Sequence, residues 1–436
     1  MSLPTFQPPP SFVASLSSEK QPTLFSRLFN AAARVENFIN KWTPFVLTAS
    51  YFIFSTCVYM ICSPELITIF WFIYLTTNFY IAGSTVVEAV MSMTPSREAR
   101  KAVEKVAGKN WIFPTPNDSL LILDIVIVAY LPNEKDIIMD RIQYATDKIV
   151  YPRDKIRINV VYNTPRPIEP LETQLRELAA KIPHLRLHKV VDSTSKADNL
   201  NYFFTLNTGS DIIAVFDCDH YPQPYGPRWA AECLIADPKT DIVQGRCVIF
   251  NTASSWLAAM IGVEFDKIYA VSHPGRAALW DFGLFTGSNG YWRSSLIRDL
   301  KMDKSMLTED IDSSLRALSR CSKIVHDPNV VSYELAPTKL KAFWNQRLRW
   351  AQGWAQASLK HTKLAFIRSP DDQRTKTQRF GLISLLLIRE MSYYLVTQYC
   401  CLVLSIIITS FPKSGTLLFH FLFFQYPVAF WLFILR

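Results

Sequence analysis

The sequence DIIAVFDCDHYP, residues 211–222, ends an apolar run on two aspartates. The β-branched and aromatic residues at 212–216 are typical of a buried strand. Asp217 and Asp219 follow with one residue between them, and two like charges that close repel each other unless a cation lies between them. The pair is explained either by a strand end with solvated side chains or an Asx turn, or by a metal site.

The residues around this stretch alternate between strand and helix patterns. Strands are predicted at 120–130, 156–163, 185–191 and 212–217, and helices at 134–149, 171–182 and 196–207. This alternation predicts βαβ units and a mostly parallel sheet, in which ligands bind at the carboxyl ends of the strands. Asp217 and Asp219 would lie on that edge of the sheet.

Glycine-rich phosphate loops of the GxGxxG or GxxxxGK[ST] kind do not occur in the sequence. A dinucleotide-binding or P-loop protein is therefore not indicated. Without such a loop, a divalent cation is the favoured partner for any diphosphate, and paired carboxylates supply the hard oxygen ligands that Mg²⁺ and Mn²⁺ take. The eight cysteines include no CxxC pair, so neither a zinc site nor a disulfide framework is indicated.

Long apolar segments flank the middle of the chain. Residues 43–62, 66–83, 391–410 and 414–435 hold no charged side chain, and each is long enough to cross about 30 Å of hydrocarbon. We predict an interfacial helix and two transmembrane helices within 23–90, although two buried core helices would give a similar pattern. Residues 379–436 are predicted to be a C-terminal membrane region of about two helices, truncated at Arg436. Residues 1–22, rich in Pro and Ser, are predicted to be disordered.

The net charge of +9 is explained by basic residues beside the apolar segments. Those on either side of the first pair are Lys20, Arg27, Arg34, Lys41, Arg97, Arg100, Lys101 and Lys105. The turn between the two segments carries only Glu65, so the positive-inside pattern places residues 91–378 in the cytosol as one α/β domain. The sequence shows no recognised nucleic-acid-binding module, and a nucleic-acid partner is not predicted.

Acidic residues also begin a helical pattern in MLTEDIDSSLRALSR, residues 306–320. Thr308 is placed as the N-cap, with Glu309 and Asp310 in the first turn. The simpler interpretation is that both acids complement the helix dipole. The alternative is a general base, which the helix N-terminus would keep ionised while weakening its basicity.

The segment WNQRLRWAQGW, residues 344–354, combines tryptophans, arginines and glutamines. An amphipathic helix at a membrane interface is the simpler interpretation. The functional one uses all three residue types: Arg349 offers a planar donor fork to phosphate oxygens, Gln346 adds a neutral donor, and Trp350 offers a flat apolar face to a sugar ring.

The order DxD, TED and QxxRW, within an α/β domain between membrane helices, resembles the family 2 inverting glycosyltransferases. The chain looks most like the membrane-integrated cellulose, hyaluronan and poly-N-acetylglucosamine synthases, over roughly residues 40–410. This resemblance implies a GT-A fold, which is a Rossmann-like, mostly parallel sheet, in a cytosolic domain flanked by transmembrane α-helices. It also implies Mg²⁺ or Mn²⁺ as cofactor and a UDP-sugar as donor.

The resemblance assigns roles residue by residue. Residues implied at the donor nucleotide match the end of the first strand, the "KAGALN", DxD and QxxRW motifs and the end of the second strand: Ala129, Tyr130, Glu134, Asn163, Lys196, Asp217, Gln346 and Arg349. Asp217 and Asp219 are the implied metal ligands, and Asp310 is the implied base. Residues implied at the acceptor are Gly287, Ser288, Asn289, Glu309 and Trp350.

The sequence departs from the family pattern at two places. Asn163 stands where the family has an aspartate that contacts uracil, which leaves room for another nucleotide or an inactive protein. The "FxVTxK" gating segment and further membrane spans are not present, which bears on processivity more than on the chemistry.

The predicted function is inverting transfer from a UDP-sugar to a growing β-linked cell-wall or extracellular polysaccharide. Transfer of one sugar to a lipid acceptor, as in ceramide glucosyltransferase-like proteins, is the first alternative, and a non-catalytic pseudo-glycosyltransferase is the second. The predicted location is multi-pass in the plasma membrane, or in the Golgi or endoplasmic reticulum for a lipid product. The sequence leaves the oligomeric state open.

Overall fold

The computed structural model describes residues 49–50, 52–58, 60–367, 373–395, 403 and 407. The chain divides into two compact units. The first contains Val86–Ile383, and the second contains the described residues of Pro9–Thr85 and Ser384–Arg436. The first unit holds every motif considered above.

Helix α1, Pro64–Ala107, contains the predicted span 66–83. Among the described residues, Glu65–Ala107 is the one helix that is long and apolar enough to cross a membrane, judged by length and composition. The predicted span 43–62 is described only in part and is helical at 52–58. The predictions for 1–22 and 414–435, and most of 391–410, fall outside the described residues.

An eight-stranded sheet forms the centre of the first unit, in the order β3-β2-β1-β4-β7-β6-β8-β5. The strands are β1 Leu123–Tyr130, β2 Ile156–Asn163, β3 Leu185–Lys189, β4 Ile212–Asp217, β5 Tyr221–Pro222, β6 Thr240–Ile249, β7 Gly290–Arg293 and β8 Lys323–Glu334. The four strands predicted from the sequence are confirmed, and they pair in parallel as β3-β2-β1-β4.

The other half of the sheet corrects the prediction of a mostly parallel arrangement. Strand β7 runs antiparallel to both β4 and β6, and β5 runs antiparallel to β8, while β6 and β8 are parallel. The sheet is therefore mixed. Strands β5 and β7 have two and four residues, too few to show a hydrophobic period in the sequence.

Helices separate most of the strands of the first unit and follow the last one. Their bounds are α2 Leu131–Glu134, α3 Ile138–Lys148, α4 Leu171–Lys181, α5 Lys196–Thr205, α6 Gly226–Ala236, α7 Trp256–Asp266, α8 His273–Trp280, α9 Ser294–Leu300, α10 Glu309–Ser319, α11 Leu340–His361, α12 Lys363–Phe366 and α13 Lys376–Ile383. Helix α14, Arg389–Leu395, belongs to the second unit. A π-helical turn, Lys267–Ser272, joins α7 to α8. The predicted helices at 134–149, 171–182 and 196–207 correspond to α3, α4 and α5.

The central strands are buried on both faces, which explains their continuous apolar sequences. In β1, every residue except Tyr130 is buried, and β4 is buried up to Phe216. The chain continues from β1 to β2 and β3 on one side and then returns to β4 on the other side, so the topological switch point lies between β1 and β4. Ligands of open α/β sheets bind at that point, where Val128 pairs with Asp217.

Candidate active site

The carboxylate pair lies at the switch point. Asp217 ends β4, and Asp219 follows in the turn before β5. Their oxygens and a ring nitrogen of His220 lie within 4.8 Å of one another. Burial and the charge of Asp217 raise the pKa of Asp219 to about 7, which shows how unfavourable two charges are at this position without a cation. Crowded carboxylate oxygens fit a hard divalent ion such as Mg²⁺ or Mn²⁺.

Lys196 connects this pair to a loop from a distant part of the chain. It is the first residue of α5, whose N-cap Ser195 accepts a hydrogen bond from the Asp198 amide. The Lys196 ammonium lies 2.5 Å from Asp217 Oδ1 and donates to the Gly287 carbonyl at 2.7 Å. Burial alone would lower the pKa of Lys196, but neighbouring carboxylates, first among them Asp217, raise it instead. A fixed positive charge therefore stands between the strand end and the loop.

Gly287 in turn contacts the predicted base. Its φ of +93° is a conformation that favours glycine, and a Cβ built there would lie 3.0 Å from Asp310 Oδ2. Burial and the charge of Glu309 raise the pKa of Asp310 to about 7. The expectation that the helix N-terminus keeps this carboxyl ionised and weakens its basicity is not met, because burial and the charge of Glu309 outweigh the backbone hydrogen bond.

Thr308 occupies the predicted N-cap position of α10 but makes no capping hydrogen bond with its side chain. Its hydroxyl is buried and has no hydrogen-bond partner among the residues that the structure describes. Thr308 packs against Gly353 of α11, where a Cβ would lie 2.8 Å from Thr308 Oγ1.

Two further acidic side chains and a histidine surround the pair. Burial and the charges of Asp219 and Asp217 raise the pKa of Glu134 and of Glu334 well above the usual range. His220 lies 3.5 Å from Glu334 Oε2, and burial lowers its pKa to about 4, so its ring is neutral at neutral pH. Sequence reasoning missed His220 and Glu334; the position of His220 directly after DCD was the available signal for the first, and Glu334 had none.

Two residues of the predicted acceptor loop, Ser288 and Asn289, make different kinds of contact. Ser288 Oγ accepts a hydrogen bond from the Asp217 amide at 3.2 Å, so it belongs to the site. Asn289 is completely buried, and its amide donates to the carbonyls of Arg246 at 3.1 Å and Val330 at 2.9 Å. Asn289 therefore supports the loop, and this placement does not fit direct contact with an acceptor.

Asn163 is held by a second amide. Its side chain donates to the Ser193 carbonyl at 3.0 Å and accepts from Asn199 at 2.8 Å. Asn199 is 1% exposed and also lies 3.5 Å from the Ala129 carbonyl. A carboxylate at position 163 could accept from Asn199 but could not donate to Ser193. Asn163 thus ties the end of β2 to the turn before α5, beside the exposed ring of Tyr130.

The QxxRW side chains lie on α11. Arg349 donates to the Leu307 carbonyl at 3.4 Å, and its charge lowers the pKa of Asp310, although burial and Glu309 together raise it further. The Trp350 ring is covered on one face by the Arg347 guanidinium, 4.2 Å from the ring centroid. An acceptor sugar could stack on that face only after Arg347 moves.

Gln346 Oε1 is buried without a partner among the described residues. The structure thus brings together Lys196, Asp217, Asp219, Gly287 and Asp310.

A protein-family model described as "Glycosyl transferase family group 2" matches residues 212–434, more than half of the chain. The chain belongs to this family. The match begins at β4, immediately before Asp217, and includes the loop at Gly287, the acidic start of α10 and the whole of α11. The family resemblance predicted from the three motifs is confirmed.

Relatives and a solved structure agree with this membership. The chain is 25% identical over 251 residues to probable glycosyltransferase YdaM of Bacillus subtilis (strain 168), covering 57% of this chain and 59% of that protein. It is 29% identical over 146 residues to probable glucomannan 4-beta-mannosyltransferase 7 of Oryza sativa subsp. japonica, covering 33% of this chain and 25% of that protein. The chain thus matches less than two thirds of the length of either relative.

Mannosyltransferase PcManGT from Pyrobaculum calidifontis, solved in complex with GDP-Man and Mn²⁺, has a similar fold. The TM-score is 0.56 at 18% identity, over 81% of this chain and 95% of that chain. This similarity confirms the GT-A fold of the first unit.

Proposed function

We propose that the chain is a metal-dependent, inverting hexosyltransferase. One observation carries the proposal: the Lys196 ammonium bridges Asp217 Oδ1 and the Gly287 carbonyl, while Gly287 lies against Asp310. A paired-carboxylate cation site, a fixed positive charge and a candidate base therefore converge from three separate segments. We assign this chemistry to residues 91–378.

The proposed reaction is a single displacement. A divalent cation held by Asp217 and Asp219 would neutralise charge on the departing nucleotide diphosphate. Lys196 adds a positive charge that is already in place before the reaction. Asp310 takes the proton of an acceptor hydroxyl, whose oxygen forms a bond to the anomeric carbon. The bond from that carbon to the diphosphate oxygen breaks on the opposite face, and the nucleotide leaves with the electron pair. An α-linked donor gives a β-linked product.

A pKa of about 7 suits Asp310 as a base. A carboxylate with an ordinary pKa is ionised at pH 7 but is a weak base, whereas efficient general bases have pKa values near the working pH. At pH 7 about half of the Asp310 side chains are ionised, and each ionised one accepts a proton more readily than an ordinary aspartate.

The proposed donor is a UDP-sugar, with GDP-mannose as the second candidate. The UDP-sugar follows from the motif resemblance. GDP-mannose enters because the curated relatives include glucomannan 4-beta-mannosyltransferases and the solved neighbour was bound to GDP-Man. The Asn163 and Asn199 amides, in place of a free carboxylate at the end of β2, support testing both nucleotides.

The proposed acceptor is a growing β-linked polysaccharide, which the names of the plant relatives support. We place the enzyme in a membrane, with its catalytic domain in the cytosol, on the basis of the apolar helix Glu65–Ala107 and the basic residues that follow its apolar part. Transfer of a single sugar to a lipid is distinguished by the length of the product.

The experiment measures nucleotide release by detergent-solubilised protein with Mn²⁺ or Mg²⁺ and UDP-glucose, UDP-N-acetylglucosamine or GDP-mannose. We expect turnover with one donor, loss of metal-dependent turnover in Asp219→Ala, and loss of transfer with retained donor binding in Asp310→Asn. Asp299→Asn is the matched control, because that carboxylate is 70% exposed and pairs only with Arg320 among the described residues. Wild-type turnover in Asp310→Asn would rule out the assigned base.

A further inference from the structure

One face of α11 runs along the segment 303–308 that leads into α10. The residues on this face, spaced four, three and four apart, are Arg349, Gly353, Gln356 and Lys360. Gln356 accepts a hydrogen bond from the Leu307 amide and donates to the Ser305 carbonyl, each at 3.0 Å. Gly353 allows the close approach of Thr308. Helix α11 therefore contacts the backbone just before the predicted base at Ser305, Leu307 and Thr308.

Asp312, two residues after Asp310, adds a further contact between α10 and α11. It is fully buried, and its Oδ2 accepts from Arg316 Nε at 2.6 Å. Its Oδ1 accepts from the Lys360 ammonium at 2.8 Å and lies 2.8 Å from His361 Nε2. Burial would raise the pKa of Asp312, but these hydrogen bonds outweigh it and hold the pKa well below the usual range. A fixed negative charge thus joins the first turns of α10 to the last turn of α11.

The contacts reach beyond Asp312. Lys360 also binds Asp303 Oδ2 at 2.7 Å, at the start of the segment. Arg316 donates to the Leu300 carbonyl at 2.5 Å and to the Lys301 carbonyl at 2.7 Å, where α9 ends. The segment that carries Asp310 is therefore anchored before, at and after the base.

We propose that Asp312, Gln356, Lys360 and His361 form a brace that positions Asp310 relative to Gln346 and Arg349 of α11. The inference rests on the proposed function. The brace residues act through Asp310, so they are positioning residues. Helix α11 carries Gln346 and Arg349, and a brace that fixes α10 to α11 sets the distance between base and donor. A shift of about 1 Å in such a geometry costs about a hundredfold in rate.

The first test is His361→Ala, measured by steady-state kinetics and hydrogen exchange. We expect kcat to fall about 10- to 100-fold while the donor KM changes less than about threefold, because the donor site is intact and the base is displaced. Amide exchange should accelerate within 303–312, above all at Leu307. His361→Gln keeps a side-chain N–H donor and should recover most of kcat.

A second variant covers the case in which His361→Ala does not fold. Gln356→Ala removes the hydrogen bonds to Leu307 and Ser305 without leaving a buried charge unpaired, and it should lower kcat and accelerate exchange in the same direction. The control is Arg320→Ala, which breaks the exposed ion pair with Asp299 at the far end of α10. It should leave both kcat and exchange unchanged.

The brace is overturned if both variants keep wild-type kcat, or if kcat falls only in proportion to the folded fraction. It is equally overturned if exchange within 303–312 is unchanged. Absence of turnover in the wild-type protein with every donor would instead count against the proposed function. In that case the exchange measurement still decides whether the brace immobilises the segment.

Discussion

The pH dependence of transfer should follow Asp310 and should respond to the neighbouring residue Glu309. After burial, the charge of Glu309 is the largest contribution that raises the pKa of Asp310 to about 7. Glu309→Gln removes that charge and keeps the shape of the side chain. The pKa of Asp310 should fall, because a nearby negative charge disfavours ionisation. The base then stays ionised to a lower pH, and the acid limb of the profile should move down.

The size of the shift follows from Coulomb's law. Two unit charges about 7 Å apart interact by about 2.4 kcal/mol at an effective dielectric of about 20, and by about 0.6 kcal/mol in water. At 1.36 kcal/mol per pKa unit, these limits correspond to a shift of roughly 0.4 to 1.8 units. The limb should therefore move from near pH 7 to between about pH 5.2 and 6.6.

The assay is kcat/KM for the donor between pH 4.5 and about 9, at saturating metal and acceptor, since this ratio reports ionisation in the enzyme form that binds the donor. Below the limb, wild-type activity should fall about tenfold per pH unit. Asp299→Asn, an exposed carboxylate on the surface, should leave the limb in place. A limb below pH 5 in the wild type, or one that Glu309→Gln does not move, would refute the assignment of Asp310.

Three further predictions concern the cation, the loop and the core. Asp219→Asn should abolish stimulation by Mn²⁺ or Mg²⁺, and a chelator should inactivate the wild type reversibly, as measured by nucleotide release. Gly287→Ala should lower kcat about 10- to 100-fold with little loss of donor affinity, because the left-handed backbone is strained and the new Cβ meets Asp310 Oδ2 at 3.0 Å. Phe216→Ala should destabilise the first unit by about 3–5 kcal/mol, seen as a lower melting temperature, because this side chain is 1% exposed.

The first half of the fold could be predicted from the sequence, and the second half could not. Strands β2 and β4 have the predicted bounds. Strand β4 is an apolar run that ends at Asp217, and β2 is rich in β-branched and aromatic residues. Strand β7 inserts between β4 and β6 with only four residues, and its direction depends on pairing with partners far away in the sequence. Periodicity carries no information about such pairing, so the prediction of a mostly parallel sheet failed there.

Some residues of the site could be predicted from the sequence, and others could not. Motifs identified Asp217, Asp219 and Asp310, because each lies where a strand or helix begins or ends. The roles of Asn199 and Glu334 depend on contacts across tens of residues, which local patterns do not report. The raised pKa of Asp310 was not expected from the sequence, since a helix N-terminus is visible in the sequence but burial is not.

The balance of charge explains why the cation site lies on Asp217 and Asp219 rather than on the other acids nearby. Burial, followed by the charges of Asp219 and Asp217, raises the pKa values of Glu134 and Glu334 well above the usual range. A proton on each relieves the repulsion at low cost, and Glu134 Oε2 is buried without a partner among the described residues. The side chains of Asp217 and Asp219 remain 38% and 34% exposed, whereas that of Glu334 is 16% exposed. A hydrated ion and a diphosphate can therefore reach the pair, and Lys196 already binds the side of Asp217 that faces the loop. The crowding of four acids thus favours protons on Glu134 and Glu334, whose pKa values are raised most, and a metal on Asp217 and Asp219.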